Sequence, residues 1–330
     1  MRILVTGSSG HLGEALMRAL RQSAHEAVGV DLLPSPFTAR VGTIVDRDFV
    51  RECMHGVDAV LHTATLHKPH VGTHSRQDFV DTNVSGTLNL LEEAKAANVR
   101  AFVFTSTTSA FGRALVPSEG EPAAWITEDV VPRPKNIYGA TKVAAEDLCE
   151  LFASNLKLPV VVLRTSRFFP EEDDQKERRD SYVDANLKAN EFLYRRVDVA
   201  DIVDAHLLAI EKAPSLGFRK YIVSATSPFV RADLARLRSD APSVVRRYAP
   251  DYVAEYARRG WKMLPSLDRV YVNERARAEL GWEPRYDFAH VVASLRANED
   301  FTSPLARAIG SKGYHAQVFT EGPFPLEPAH

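Results

Sequence analysis

The sequence predicts an α/β protein, a doubly wound parallel sheet with a smaller C-terminal domain. Two observations carry that prediction. Short apolar, β-branched runs alternate with helical stretches over the first two-thirds of the chain, the pattern of a parallel sheet covered on both faces. The chain also opens as strand, glycine loop and helix, an order that puts a tight turn at the carboxyl end of the first strand.

Met1 to Gly7 reads as the first strand, a buried apolar run closed by a turn signal. Gly7, Gly10 and Gly13 follow in the spacing G-x-x-G-x-x-G, one residue longer than the common dinucleotide fingerprint. Leu12, Ala15, Leu16, Ala19 and Leu20 then recur at helical intervals. In this setting Gly7 allows the turn, Gly10 lets a diphosphate approach the backbone, and Gly13 lets the helix pack tightly on the strand. The helix N-terminus favours negative charge there. A second strand, Glu26 to Val30, ends at Asp31, about where a carboxylate is needed to hold ribose hydroxyls.

Beyond the proline-punctuated loop Leu32 to Pro36, Val41 to Val45 reads as a third strand and Asp48 to Met54 as a helix. Asp58 to His62 is a fourth strand, running into Thr63-Ala64-Thr65. Gln77 to Asn98 reads as one long helix, and Ala101 to Thr105 as a fifth strand that leaves Thr107 just past its end. Pro117 to Asn136 carries four prolines and reads as a loop. Tyr138 to Ala153 is helical, and Pro159 to Arg164 is a sixth strand. The dense charges of Pro170 to Asp180 read as a solvated mobile loop. Val199 to Ala213 is predicted as a helix and Lys220 to Ser224 as a strand. Helices at Asn273 to Leu280 and Phe288 to Glu299 follow. The stretch Thr302 to His330 is rich in glycine and proline, and its sequence fits either a wrapping tail or disorder.

Composition narrows the functional classes. A formal net charge of −2 with 25% charged residues gives no basic footprint for nucleic acid. No apolar run approaches the roughly 20 residues of a membrane span, and the chain opens directly in a strand, so no leader peptide is expected. Cys53 and Cys149 both fall in predicted helices and read as free buried thiols, which suits the cytoplasm.

Tyr138 and Lys142 are four apart on a predicted helix and share a face. A phenol is a poor base near neutrality, but a neighbouring ammonium favours its ionised form. Such a pair moves a proton to or from a hydroxyl while a nicotinamide exchanges the hydride. Thr107, at the expected ligand edge of the sheet, offers a hydroxyl to the same oxygen.

These motifs resemble the extended short-chain dehydrogenase/reductase superfamily, in its NAD-dependent epimerase/dehydratase group. The matching stretches are Thr6 to Gly13, His62-Thr63-Ala64, Asn83 with Gly86-Thr87, Thr105-Ser106-Thr107, Tyr138 to Lys142, Val197 to Asp201 and Glu279 to Pro284. The resemblance implies a Rossmann-type cofactor domain from 1–165 plus about 197–225. It implies a substrate domain from about 166–196 plus 226–330. It implies Thr107, Tyr138 and Lys142 as the catalytic set. The cofactor contacts it implies are Gly7, Ser9, Gly10, His11, Leu12, Gly13, Asp31, Thr43, Ile44, Thr63, Ala64, Thr65, Asn83, Thr105, Tyr138 and Lys142. With no basic residue after Asp31, NAD fits better than NADP. The two long helices resemble those that pair in homodimers of the superfamily.

The departures concern the substrate. An adenine-contacting acid is often found where Thr43 stands. Thr165-Ser166-Arg167 replaces the usual phosphate-contacting Asn, and Tyr194-Arg195-Arg196 the usual arginine segment. Arg167, Arg195 and Arg196 could still meet an anion; surface salt bridging is the plainer reading. Thr108-Ser109 replaces the acidic pair of sugar dehydratases, which argues against dehydration. His62, His67, His70 and His74 crowd the loop after the fourth strand; no metal is expected, and His67 and Ser109 are candidate substrate contacts. Three functions remain open. One is an epimerase of a sugar or nucleotide sugar that keeps its NAD. Another is a dehydrogenase or reductase of a sugar, sugar acid or other secondary alcohol. The third is a catalytically silent NAD-binding regulator, against which the intact Thr107/Tyr138/Lys142 set argues.

Overall fold

The computed structural model describes residues 1–313, 315, 319 and 322–325. Its main sheet has seven parallel strands in the order β3-β2-β1-β4-β5-β7-β8. These are β1 Arg2–Thr6, β2 Glu26–Asp31, β3 Arg40–Val41, β4 Ala59–His62, β5 Ala101–Thr107, β7 Val160–Thr165 and β8 Phe218–Val223. The strand order reverses between β1 and β4, whose ends pair as Thr6 with His62. The crevice outside those carboxyl ends is where such sheets bind ligands.

Both faces of the sheet are covered, which explains why the strands read as continuous apolar runs. Ile3, Val5, Leu61, Val103 and Leu163 pack on one side against α1 (His11–Arg21) and α8 (Val199–Leu216). Leu4, Val60, Phe102, Phe104 and Val162 pack on the other against residues of α2 (Arg47–Cys53), α4 (Gly86–Ala96) and α5 (Ile137–Leu156). Cys53 and Cys149 are buried free thiols in α2 and α5.

The predicted third strand is cut to two residues. Asp46 accepts from the N–H groups of Asp48 and Phe49 to cap α2, so the chain leaves the sheet edge and Gly42-Thr43-Ile44 turns into the crevice. The predicted long helix is broken into α3 (Arg76–Val80), a π turn at Asp81–Ser85 and α4. It stops at Ala96, where Asn98 takes a left-handed conformation, φ 55°. Such π turns often mark functional positions. β5 runs two residues further than predicted, so Thr107 is its last residue, paired with Thr165 on β7.

A second core joins α7 (Asp184–Glu191), α9 (Leu234–Ser239), α10 (Ala241–Tyr248), α11 (Tyr252–Arg259) and α13 (Phe288–Ala297) around Phe192, Leu237, Tyr256 and Phe288. The predicted 117–136 loop is in fact partly ordered. It contributes β6 (Ala124–Ile126), which pairs in parallel with β9 (Arg269–Tyr271). That pairing joins residues 145 apart, beyond any local pattern. Helix α12 (Glu274–Leu280) returns to the main sheet: Leu280 and Trp282 pack under α8, and the Trp282 indole N–H donates to the Asp201 carbonyl, 2.8 Å.

The 170–180 stretch is solvated only in part: Glu171, Asp173 and Asp174 are buried, while Glu172, Gln175 and most of a short helix, α6 (Lys176–Ser181), lie at the surface. The C-terminal stretch packs on the body through Gly313. Its helix α14 (Pro304–Ile309) lies against α1 and α8. Residues 314, 316–318, 320, 321 and 326–330 of the predicted tail fall outside the described residues.

Candidate active site

The crevice is a cavity of about 970 Å³, within the range of cofactor and substrate pockets. It begins at the glycine loop. Gly7 has φ +75°, and a Cβ there would lie 2.8 Å from the Ala64 nitrogen. A Cβ on Gly13 would lie 1.9 Å from the Gly7 carbonyl oxygen, so this glycine sets how closely α1 approaches the loop. Gly10 has no side chain to cap α1, which leaves the helix N-terminus open to an anion. A Cβ on Gly10 would meet only the Gly7 oxygen, at 3.2 Å.

At the end of β2 the Asp31 carboxylate accepts from Ser9 N (2.9 Å) and Leu33 N (3.0 Å). Ser9, His11, Leu12, Thr43, Ile44, Thr63, Ala64, Thr65 and Thr105 all line the same cavity. Open donors at a helix end and a carboxylate one strand away are a donor and acceptor set that fits a dinucleotide.

Two of the expected cofactor residues stand behind the wall instead of in it. Asn83, released inward by the π turn, accepts from the Thr65 hydroxyl and Leu66 N, and donates to the Leu66 carbonyl and the Thr141 hydroxyl, all at 2.8–3.0 Å. It braces the loop after β4 against α5. Lys142 is buried, and its ammonium donates to the Thr105 carbonyl, 2.6 Å, with the Phe104 ring 4.0 Å away.

Tyr138 lines the cavity near the N-terminus of α5, where Asn136 caps the helix by accepting from Gly139 N. The Thr107 side chain faces its phenol and favours the ionised form. Thr107 and Ser109 also line the cavity, and Ser109 N donates to the Thr107 hydroxyl, 3.0 Å. The electrostatics differ from the expected phenol–ammonium couple. Burial pushes Tyr138 up to about 12, and the Thr107 side chain offsets this only in part. Burial also brings Lys142 down to about 7, against the opposing pull of the Glu146 carboxylate one turn on. The i, i+4 spacing put both residues on one face, but the side chains found different partners.

The predicted anion-binding arginines are neither surface salt bridges nor free. Arg195 meets Asp173 and Glu191, each at 2.5 Å. Arg167 meets Asp173 at 3.2 Å, and Arg196 meets Glu191 at 2.6 Å. Asp174 pairs with Lys68 and lies 3.6 Å from Arg167. Three guanidinium groups thus face three carboxylates. Arg167 and Arg195 still line the cavity, and their buried Nε groups, with the Ser166 hydroxyl, have no hydrogen-bond partner among the described residues.

The histidines separate. His62 lies under the sheet between the hydroxyls of Thr6 and Thr87, 2.8 and 2.9 Å. His67 lines the cavity and stacks on Phe169, 5.4 Å between ring centres. His70 packs edge-on against His67 and His74. No group of three metal-ligating side chains exists among the described residues, and no helix among them is long and apolar enough to cross a membrane.

Sequence reasoning missed several wall residues. Phe168 and Phe169 follow Arg167 directly, an aromatic pair beside a candidate substrate contact that was legible. Arg269, Tyr271, Lys312, Gly313, His315 and Phe324 also line the cavity and carry no local signal.

The profile of the NAD dependent epimerase/dehydratase family matches residues 3–223, in accord with the resemblance read from the motifs. Among curated proteins, the chain is 28% identical to the UDP-glucose 4-epimerase of Streptomyces lividans, over 64% of this chain and 72% of that protein. It is 25% identical to the 3-beta-hydroxysteroid dehydrogenase of Mycolicibacterium neoaurum, over 88% of this chain and 89% of that one. The chain spans 39% and 55% of the length of two further relatives. Among solved structures, a short-chain dehydrogenase/reductase superfamily protein from Agrobacterium tumefaciens, with bound NAD, shares the fold at a TM-score of 0.63. Its identity is 24%, covering 93% of this chain and 99% of that one.

Proposed function

We propose that this chain, which belongs to the NAD dependent epimerase/dehydratase family, is an NAD-dependent oxidoreductase of epimerase type acting at a secondary alcohol of a sugar, with nucleotide-linked sugars the first class to test. The observation that carries the reading is the Tyr138–Thr107 pair on the wall of the cavity that starts at the glycine loop.

Gly7 to Gly13 and the open end of α1 would hold the diphosphate, and Asp31 the adenosine ribose. Asp31 has Leu32 and Leu33 after it instead of a basic residue, which supports NAD over NADP. When bound, NAD supplies a hydride acceptor. Tyr138 receives the proton of the substrate hydroxyl and returns it to the same oxygen. Thr107 holds that oxygen, and Lys142, bonded to the Thr105 carbonyl, stands behind the site. A phenol raised to about 12 by burial stays protonated near neutrality and must ionise before it can take the substrate proton, so a positive charge brought close to it when the cofactor binds would favour the phenolate.

A sugar is supported by the UDP-glucose 4-epimerase relative and by the hydroxyl side chains of Thr107, Thr108 and Ser109 on the cavity wall, which can donate to and accept from a hydroxyl-rich ligand. A second reading, a dehydrogenase that releases NADH, is favoured by the neutralised arginines, which leave no uncompensated clamp for a nucleotide diphosphate. The steroid dehydrogenase relative, matched along most of its length, is consistent with it. Residues about 166–196 plus 226–330 would form the substrate side. Two buried free thiols suit a cytoplasmic setting, and we expect a homodimer, testable by gel filtration.

Incubation with NAD and a panel of nucleotide sugars, free sugars, sugar acids and hydroxysteroids separates the readings. An epimerase accumulates product with no net absorbance in the NADH band; a dehydrogenase produces NADH in step with product. Tyr138→Phe should lower kcat by roughly 10²–10⁴, the usual share of general acid–base catalysis, with NAD affinity nearly unchanged. Turnover within tenfold of wild type would remove Tyr138 from the reaction.

A further inference from the structure

The family profile ends at residue 223, yet Lys312 and Gly313, far beyond it, line the same cavity as the glycine loop. Ser303 anchors it: its N–H donates to the Asp198 carboxylate, 2.9 Å, and its hydroxyl caps α14 by accepting from Ala306 N. Leu305, Ala306 and Ile309 pack on the core beneath α1 and α8. Beyond α14 the chain is caught by Glu171. One oxygen of that buried carboxylate accepts from the Ser311 hydroxyl (2.9 Å), Lys312 N (3.1 Å) and Gly313 N (3.1 Å). His11 Nε2, on the first residue of α1, lies 2.9 Å from the same oxygen. Burial would raise the pKa of Glu171, but His11 and the Ser311 hydroxyl help draw it down to about 2, so the catch is ionised and its hydrogen bonds are of the strong, charge-assisted kind.

The catch places Lys312. Its ammonium bonds to Glu14 in the first turn of α1, 2.5 Å, while Arg18 holds the other oxygen of Glu14 at 2.7 Å. Lys312 and Arg18 together balance the Glu14 and Glu171 carboxylates at this end of α1, and both Lys312 and Gly313 line the cavity that the glycine loop opens. A cationic side chain on the wall and an uncapped helix end together suit a diphosphate.

We propose that Ser303–Gly313 is a latch over the dinucleotide, with Glu171 as its catch and Lys312 as a cationic contact to the diphosphate, so that the cofactor is retained across turnovers. This rests on the NAD reading above and deepens it: a chain that keeps its cofactor suits a redox-neutral interconversion better than one-way oxidation.

The test is the release of NADH from the full-length protein, followed by stopped-flow fluorescence. Lys312→Ala should release NADH about tenfold faster and bind NADH and ADP-ribose about tenfold more weakly, a loss of the size expected for one charge-assisted contact. Adenosine, which lacks the diphosphate, should bind both proteins alike, and Lys312→Arg should restore the slow release. Glu171→Gln should also release faster. Should that buried change lower the melting midpoint of the ligand-free protein, Lys312→Ala, on a partly exposed side chain, decides alone. Wild-type release rates in Lys312→Ala overturn the latch and leave the NAD reading intact. A wild-type protein that binds neither NADH nor NAD overturns both.

Discussion

Two glycines of the loop, Gly10 and Gly13, give opposite outcomes on the same substitution. In Gly13→Ala the new Cβ falls 1.9 Å from the Gly7 oxygen, 2.6 Å from its carbonyl carbon and 2.8 Å from Ser8 Cα. Contacts of that kind need about 3 Å or more, so α1 and the loop must part by roughly 1 Å. No rotamer relieves backbone against Cβ, so the cost is that of overpacking, about 1–3 kcal/mol, which lowers the melting midpoint of a chain this long by roughly 1–4 °C. In Gly10→Ala the Cβ meets only the Gly7 oxygen at 3.2 Å, and the backbone there, φ −74° and ψ 170°, is one alanine adopts readily. The ligand-free midpoint should stay within about 1 °C or rise slightly. Gly10 lines the cleft, however, so a methyl group there should weaken NAD binding at least about tenfold. Calorimetric melting and NAD titration of both variants check this. Wild-type NAD affinity in Gly10→Ala would refute a diphosphate seated on this loop, whatever Gly13→Ala does.

Two further outcomes are expected. Asn83→Ala leaves the Leu66 N–H without its acceptor, while the Leu66 carbonyl and the Thr65 and Thr141 hydroxyls keep the bonds Thr65 makes to Leu66 and Thr141 makes to Ile137. The change should cost about 1–3 kcal/mol in urea denaturation; a loss under about 1 kcal/mol would show that the π turn does not brace the site. His206 accepts from the Thr105 hydroxyl and donates to the Ile202 carbonyl, both 2.8 Å, and burial holds it down to about 4 despite the opposing carbonyl bond. Because the unfolded imidazole titrates near 6.5, the unfolded state binds more protons between pH 4 and 6.5. The stability from neutral His206 is therefore complete above pH 6.5 and falls by roughly 3 kcal/mol as pH drops to 4. Asp201, raised by burial to about 6, acts with opposite sign, losing stability as pH rises through 6, so the comparison must be wild type against His206→Gln. Parallel stability–pH curves for the two would overturn the assignment.

What the chain settled by itself is what depends on near neighbours. Strand and helix follow from apolar spacing, the cofactor loop from three glycines between them, and the shared face of Tyr138 and Lys142 from the helical repeat. Seven parallel strands and the site at the β1/β4 crevice came from those local signals. Tertiary structure decided wherever a partner lay far away in sequence. The acidic run after Pro170 reads as solvated until Arg195 and His11 are folded against it and make its burial affordable in free energy. The 117–136 loop gains a strand only because β9 lies alongside it. Whether the ammonium of Lys142 turned to the phenol or to the Thr105 carbonyl was set by the cavity around it, and the placing of Lys312 on the cavity wall depended on a carboxylate 141 residues earlier. Periodicity constrains which way a side chain faces on its own element; which charge it meets there is fixed only when the elements pack.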